Sequence, residues 1–276
     1  MAKLDFLIIG AQKAGTSSLR AFFRENSEFF RIPTREMQFW NRSMNFKDGA
    51  GIKEYLQILE GGQPGKLAGE KTPNYLNSKD APKRLKKYFP DTKLIAILRN
   101  PIDRAYSSYW HGRKNGAIPE NMSFSELIRL DHKDSELPFH SVVERGFYDK
   151  HLAYWLRHFH SDQFSVLEHE DVITNQESRL RDLAKFLELS DSQIFRLKLT
   201  FPHVNRAKQN RFPRLTRAIY NSHFLDYKRR VKLISKITFE KEYKEMEQAD
   251  RRYLERVYSD HVTNLESILG RELQWT

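Results

Sequence analysis

The sequence predicts an α/β fold with a central parallel β-sheet flanked by helices, and three observations predict it. Two short apolar runs, "LDFLII" (4–9) and "KLIAIL" (93–98), have the length and the branched, leucine-rich content of strands covered on both faces. Amphipathic segments over 16–26, 51–60, 79–88, 101–114, 148–159 and 175–188 alternate with strand candidates, as in a chain built from βαβ units. The first run also feeds through a glycine-bracketed loop into a helix, an arrangement suited to holding a phosphate. A chain of 276 residues can bury one large core, so we expect a single domain over 1–276.

Along the chain, 4–9 and 93–98 are the best central strands. "KLAGEKTP" (66–73) holds a shorter one, and "FSVLEHEDV" (164–172) a third main strand. From about 212 onward the pattern is only helical. There Met246, Ala249, Tyr253, Val257, Val262, Leu265, Ile268 and Leu269 recur at three- and four-residue steps, as one apolar stripe. "NGAIPENM" (115–122) and the basic "TFPHVNRAKQNRFPR" (200–214) read as loops from their Gly, Pro and Asn content.

The bulk properties exclude several classes. No stretch is long and apolar enough to cross a bilayer, and the amino terminus lacks the apolar core and cleavage site of a secretory signal. We therefore expect a cytoplasmic protein without a membrane partner. Zero cysteines exclude disulfides, thiolate metal sites and cysteine nucleophiles. The formal net charge of +11 favours an anionic partner. Its basic residues are spread through helices and loops, with no arginine-rich arm, zinc-finger spacing or RNA-binding signature, so a small polyanion is expected rather than nucleic acid.

The loop in "FLIIGAQKAGTSSL" (6–19) carries the first site. Gly10 allows a sharp turn, Gly15 lets the backbone approach a ligand, and the amides of Thr16, Ser17 and Ser18 open a helix. In the triphosphate loop G-x-x-x-x-G-K-[ST] the lysine follows the second glycine; here Lys13 precedes Gly15 by two. A second strand-to-helix junction, "ILRNPIDRAYSSYWHGR" (97–113), places Arg99 at the strand exit, Pro101 in the first helical turn and Ser107 two turns in. A guanidinium fork with a hydroxyl suits a terminal phosphate monoester.

Together these two segments resemble the superfamily of sulfotransferases that use 3′-phosphoadenosine 5′-phosphosulfate (PAPS), through a K-x-G-T-[ST] loop and an R-[ND]-P-x-[DE]-R-x-x-S segment. "REMQFW" (35–40) and "GEKTPNYL" (69–76) are similar to the heparan-sulfate-type branch and its bacterial relatives. "RGFYDKHLAYWLRHF", "FSVLEHEDV" and "LESILGRELQW" continue the resemblance in order along nearly the whole chain. It implies a phosphate-loop-like fold shared with nucleoside triphosphate hydrolases, and transfer of a sulfuryl group from PAPS, leaving PAP, to a hydroxyl or amine of a small-molecule or glycan acceptor.

The resemblance implies roles residue by residue. Lys13, Ala14, Gly15, Thr16, Ser17 and Ser18 would hold the phosphosulfate, with Lys13 at the bridging oxygen, where charge builds on the leaving group. Arg99 and Ser107 would hold the 3′-phosphate. Tyr148 in "RGFY" would border the nucleotide, although a core tyrosine is the more ordinary expectation; Lys208 and Arg211 in "NRAKQNR" (205–211) would close over it, although this stretch lacks the glycine common in that loop. Glu36 matches the family's catalytic base; the hexapeptide alone reads as a surface glutamate paired with Arg35. Lys71 matches a lysine on the sulfate side, or is simply a lysine at a strand end. Gln38 stands where some relatives have histidine. His111 and His203 compete as bases, but each reads more readily as a structural residue or a substrate contact.

No metal is expected, since the ten histidines are scattered. His158 and His160 stand two apart on a predicted helix and so point away from each other. The competing reading is a phosphate-loop kinase, which the position of Lys13 and the want of an aspartate at a strand end for magnesium disfavour. The acceptor cleft is left to three segments, 41–65, 115–145 and 200–230.

Overall fold

A computed structural model describes residues 3–46, 50–60, 65–114, 117–119, 121–131, 142–202, 208–210, 219, 233, 238–240 and 244–275. The described elements run β1 (Phe6–Gly10), α1 (Thr16–Glu25), β2 (Phe30–Arg31), α2 (Ala50–Glu60), β3 (Leu67–Lys71), α3 (Ala81–Tyr88) and β4 (Lys93–Leu98). They continue α4 (Pro101–Lys114), α5 (Phe124–Asp131), α6 (Tyr148–Leu156), β5 (Phe164–Glu168), α7 (His169–Thr174), α8 (Gln176–Phe186) and α9 (Asp191–Phe195). After these come β6 (Lys208–Asn210), β7 (Thr238–Glu240) and α10 (Gln248–Leu269).

Five strands form one parallel sheet in the order β2-β3-β1-β4-β5. The central strands β1 and β4 are almost wholly apolar because both faces of the sheet are covered there, and successive side chains enter opposite cores. Leu7, Ile9, Leu94, Ala96 and Leu98 face a core with Trp40, Tyr75, Leu85 and Trp155. Phe6, Ile8, Ile95 and Ile97 face the other, with Leu19, Phe22, Phe23 and Leu183. Phe6 packs on Phe23 at 4.5 Å and edge-on to Phe30 at 6.0 Å between ring centroids. Each such pair adds about 0.5–1.5 kcal/mol beyond its burial. These contacts fix α1 against β1 and thereby the loop that joins them.

The chain order reverses at β1, which has β3 on one side and β4 on the other. In open α/β sheets the crevice outside the carboxyl ends of the strands at such a switch point is where ligands bind. The loops leaving β1, β3 and β4 carry Lys13, Thr72 and Arg99, and Lys71 is the last residue of β3.

The described chain divides into two compact units. Residues 1–99, 148–204 and 262–276 form the unit that contains the five-stranded sheet. Residues 100–147 and 205–261 form the second, which holds α4, α5, the antiparallel pair β6–β7 and α10 as far as His261. Within it Asp250 is buried, accepting from Ser125 Oγ (2.7 Å) and Arg129 Nη1 (3.1 Å).

Several expectations are corrected. The strand expected over 164–172 ends at Glu168, and His169 begins a helix, because Glu170 and Asp171 in its first turn favour a helix start. The stretch from 212 onward is not only helical, and 200–214 is not only loop, since Thr238–Glu240 pairs with Lys208–Asn210. Strands of three residues show no period, and each exists only through its remote partner. The helix expected over 148–159 ends at Leu156, so His158 lies in a turn and His160 precedes a short 3-10 turn. On α10 the buried residues are Asp250, Leu254, Tyr258 and Leu265, while Ala249 and Ile268 of the expected stripe are exposed.

Candidate functional site

The phosphate-type loop is built at the end of β1. Ala11 N donates to Ile97 O (2.7 Å), tying the loop to β4. Lys13 and Gly15 both take positive φ, 71° and 95°. At Gly15 a Cβ would lie 2.7 Å from His169 Cδ2 and 3.1 Å from Phe201 Cζ, so both conformation and space require glycine. Gly15 is also the N-cap of α1. No side chain caps this helix and no acidic residue stands in its first turn. An uncapped helix start with hydroxyl residues Thr16, Ser17 and Ser18 is a cradle for an anion, and the residues present fit a phosphosulfate. Thr16 and Ser18 are buried, whereas Lys13 and Ser17 are half-buried.

On the neighbouring strand, Lys71 is 3% exposed, and its Nζ lies 2.5 Å from Glu36 Oε1 and 3.5 Å from Ser17 Oγ. Burial pushes the Lys71 ammonium below the ordinary lysine pKa, the Glu36 carboxylate opposes this, and Arg20 pushes further down. The Glu36 carboxylate is half-exposed and accepts at Oε2 from Gln38 Nε2 (3.1 Å), while Gln38 Oε1 accepts from Asn41 Nδ2 (2.9 Å). The structure thus brings together Glu36, Lys71 and Ser17, which are separated in sequence by up to 54 positions. Gln38, expected only as a replacement for histidine, is a hydrogen-bond partner of the glutamate. The hexapeptide could not show this, because the amide's partner depends on a turn at φ 53.

A cleft of about 310 Å³ opens beside Glu36, lined by residues that include Arg35, Gln38, Arg42, Glu54 and Tyr55. Of the three segments expected to line an acceptor cleft, 41–65 contributes to this one.

Arg99 follows β4 and is half-buried, and its carbonyl accepts from Tyr148 Oη (3.1 Å). Tyr148 itself is 1% exposed and part of the core with Trp155. Asn100, unremarked in the sequence reading, caps α4 by accepting from the Ile102 amide at Oδ1 (3.0 Å). Its place immediately before Pro101 was the available signal. Ser107 is half-buried on α4 in the second unit, as is His111. Lys208 opens β6, so it stands on a strand and not in a loop; Arg211 and His203 lie outside the described residues. Among the described residues no group of three or more His, Asp or Glu stands close enough to hold a metal, and no helix is long and apolar enough to cross a membrane.

A parallel sheet whose switch point carries a glycine-hinged loop and an uncapped helix start has the architecture by which α/β proteins hold phosphates. Within that class the Sulfotransferase domain family matches residues 3–266, and the chain belongs to this family. It is 32% identical over 184 residues to heparan sulfate glucosamine 3-O-sulfotransferase 3B1 of Mus musculus, covering 66% of this chain and 45% of that protein. It is 30% identical over 207 residues to the bifunctional heparan sulfate N-deacetylase/N-sulfotransferase 1 of Xenopus laevis, covering 71% and 23%. The chain thus spans less than half the length of these curated relatives. In fold it is similar to a sulfotransferase from Alicyclobacillus acidocaldarius, with a TM-score of 0.69 and 22% identity over 99% of this chain and 98% of that one. It also resembles mouse sulfotransferase SULT7A1 in complex with PAP, with a TM-score of 0.50 and 19% identity over 72% and 64%.

Proposed function

We propose that this chain transfers a sulfuryl group from PAPS to a hydroxyl or amine of a small-molecule or glycan acceptor. The observation that carries this reading is the Glu36–Lys71 pair, 2.5 Å apart, which also reaches Ser17 of the anion loop at the switch point of the sheet. PAPS would supply the sulfuryl group and PAP would be the leaving product.

The loop residues Lys13, Ala14, Gly15, Thr16, Ser17 and Ser18 would hold the phosphosulfate through backbone amides, hydroxyls and one ammonium. Lys13 would neutralise charge developing on the bridging oxygen, the largest electrostatic demand of an in-line transfer. Lys71 would sit on the sulfate side, and Glu36 would take the acceptor proton. Arg99 and Ser107 are assigned to the 3′-phosphate, Tyr148 to the edge of the nucleotide, and Lys208 and Arg211 to its outer side, on the strength of the family motifs. The cleft beside Glu36, with Arg35 and Arg42 on its wall, is where we place the acceptor. No metal is needed in this scheme, because fixed cations on the chain meet the developing charge. Both compact units would belong to one sulfotransferase domain, a reading supported by a family match that runs through both. The cysteine-free sequence supports a reducing compartment such as the cytoplasm, which cell fractionation would check.

Ligand-dependent melting tests the reading. PAP should raise the melting temperature in proportion to RT ln(1 + [L]/Kd), and ATP with magnesium should do far less. Equal stabilisation by ATP and magnesium, or none by PAP, would sink it in favour of a kinase-like or unrelated site. Glu36→Gln should abolish transfer with PAP affinity nearly intact; an active variant would move the base elsewhere.

A further inference from the structure

Three hydroxyls that fix the segment bearing Glu36 all give their protons to one buried carboxylate. Glu70 is 1% exposed; its Oε1 accepts from Tyr75 Oη (2.7 Å) and Thr72 Oγ1 (2.9 Å), and its Oε2 from Tyr55 Oη (2.6 Å). The same hydroxyls accept from residues 38–40. Thr72 Oγ1 takes the Gln38 amide (3.3 Å), Tyr75 Oη takes the amides of Phe39 (2.8 Å) and Trp40 (3.3 Å), and Tyr55 Oη takes the Trp40 indole (3.2 Å).

A hydroxyl has a single proton. Once that proton points at Glu70, the oxygen lone pairs are left to face the amides, so the carboxylate sets the direction of every bond in the network. Burial and the negative charge of Glu70 also push both tyrosine pKa values well up, which keeps them donors. The segment needs such holding, because Gln38 lies at φ 53. A non-glycine residue in that region costs about 1–3 kcal/mol and persists only where its surroundings over-determine it.

Alternation along β3 gives its last two residues different tasks. Lys71 contacts the Glu36 carboxylate from one side, and Glu70, on the other, holds the backbone that follows Glu36. We propose that Glu70 is a positioning residue that sets the Glu36 carboxylate against Lys71, acting through Thr72, Tyr75 and Tyr55. The inference rests on the sulfuryl-transfer reading of that pair.

Two variants test it: Glu70→Gln, which keeps the shape but turns one acceptor into a donor, and Tyr75→Phe, which keeps the ring and so the packing. Three quantities are measured on the full chain: amide hydrogen exchange, PAP affinity by calorimetry, and label transfer from PAPS to an N-desulfated heparan oligosaccharide. In both variants the amides of Gln38, Phe39 and Trp40 should exchange faster while those of β1 and β4 keep their protection, and PAP affinity should be unchanged. Turnover should fall about 100-fold, the cost of a misplacement near 1 Å, with the KM for PAPS unaltered. Unchanged exchange at 38–40, or full turnover in both variants, would overturn the inference. A parent protein that ignores PAP would instead overturn the functional reading, and exchange at 38–40 would still report whether Glu70 holds the segment.

Discussion

At Gly15 two constraints coincide, a left-handed backbone and a neighbour, His169, in the space a side chain would need. The left-handed conformation alone costs an alanine about 1–2 kcal/mol, so Gly15→Ala should lower the melting temperature and weaken PAP binding by about tenfold or more. Calorimetric titration with PAP checks this. Lys71 makes a different prediction. Its burial lowers the pKa, so in the free protein it loses its proton at a lower pH than an ordinary lysine. If transfer needs the ammonium, the alkaline limb of kcat/KM for PAPS should lie below the ordinary lysine range. Lys71→Arg, always protonated, should move that limb up, and a limb that stays put would assign it to another group. Lys13, Gly15 and Thr16 were legible in sequence because the loop motif is local. Glu36 and Lys71, 35 positions apart, could be paired only by resemblance until the fold brought them together.

Elements were legible where they carry their own apolar signal. The runs 4–9 and 93–98 became β1 and β4, and 101–114 became α4 without a shift of either end. β2 has two residues and β6 and β7 three each, too few for periodicity, so only their partners define them. The end of β5 depends on a remote contact as well. Buried Glu168, 2% exposed, is met by Arg271 and by the Gln274 amide (2.8 Å), which bind the carboxyl-terminal stretch to the strand. Arg271→Ala should therefore destabilise the protein by about 1.5–3 kcal/mol, the range for a hydrogen bond to a charged group, with the lower end favoured because Arg271 is half-exposed. Urea unfolding measures it, and an unchanged midpoint would show that Gln274 alone satisfies Glu168.

For the whole molecule, the net charge of +11 and the convergence of Lys13, Lys71 and Arg99 on the carboxyl ends of three adjacent strands both favour a polyanion. PAP affinity should fall several-fold between low and high salt as the Debye length shrinks from about 30 Å toward 3 Å. An affinity insensitive to salt would mean that hydrogen bonds and stacking, not charge, hold the nucleotide. The α/β class was readable from the alternation of strand and helix patterns, but the order β2-β3-β1-β4-β5 was not, since parallel neighbours are chosen by crossover packing.

The sequence by itself determined the class of fold, the glycine-bracketed loop with its lysine ahead of the glycine, and the family, because these reside in short contiguous stretches whose chemistry is local. The tertiary structure decided what lies across from what. It set Lys71 against Glu36, gave Gln38 to the glutamate as a partner, and placed Glu70 beneath the turn. Those relations depend on which residues the sheet and its two cores bring within hydrogen-bond reach, and no spacing along the chain encodes that distance.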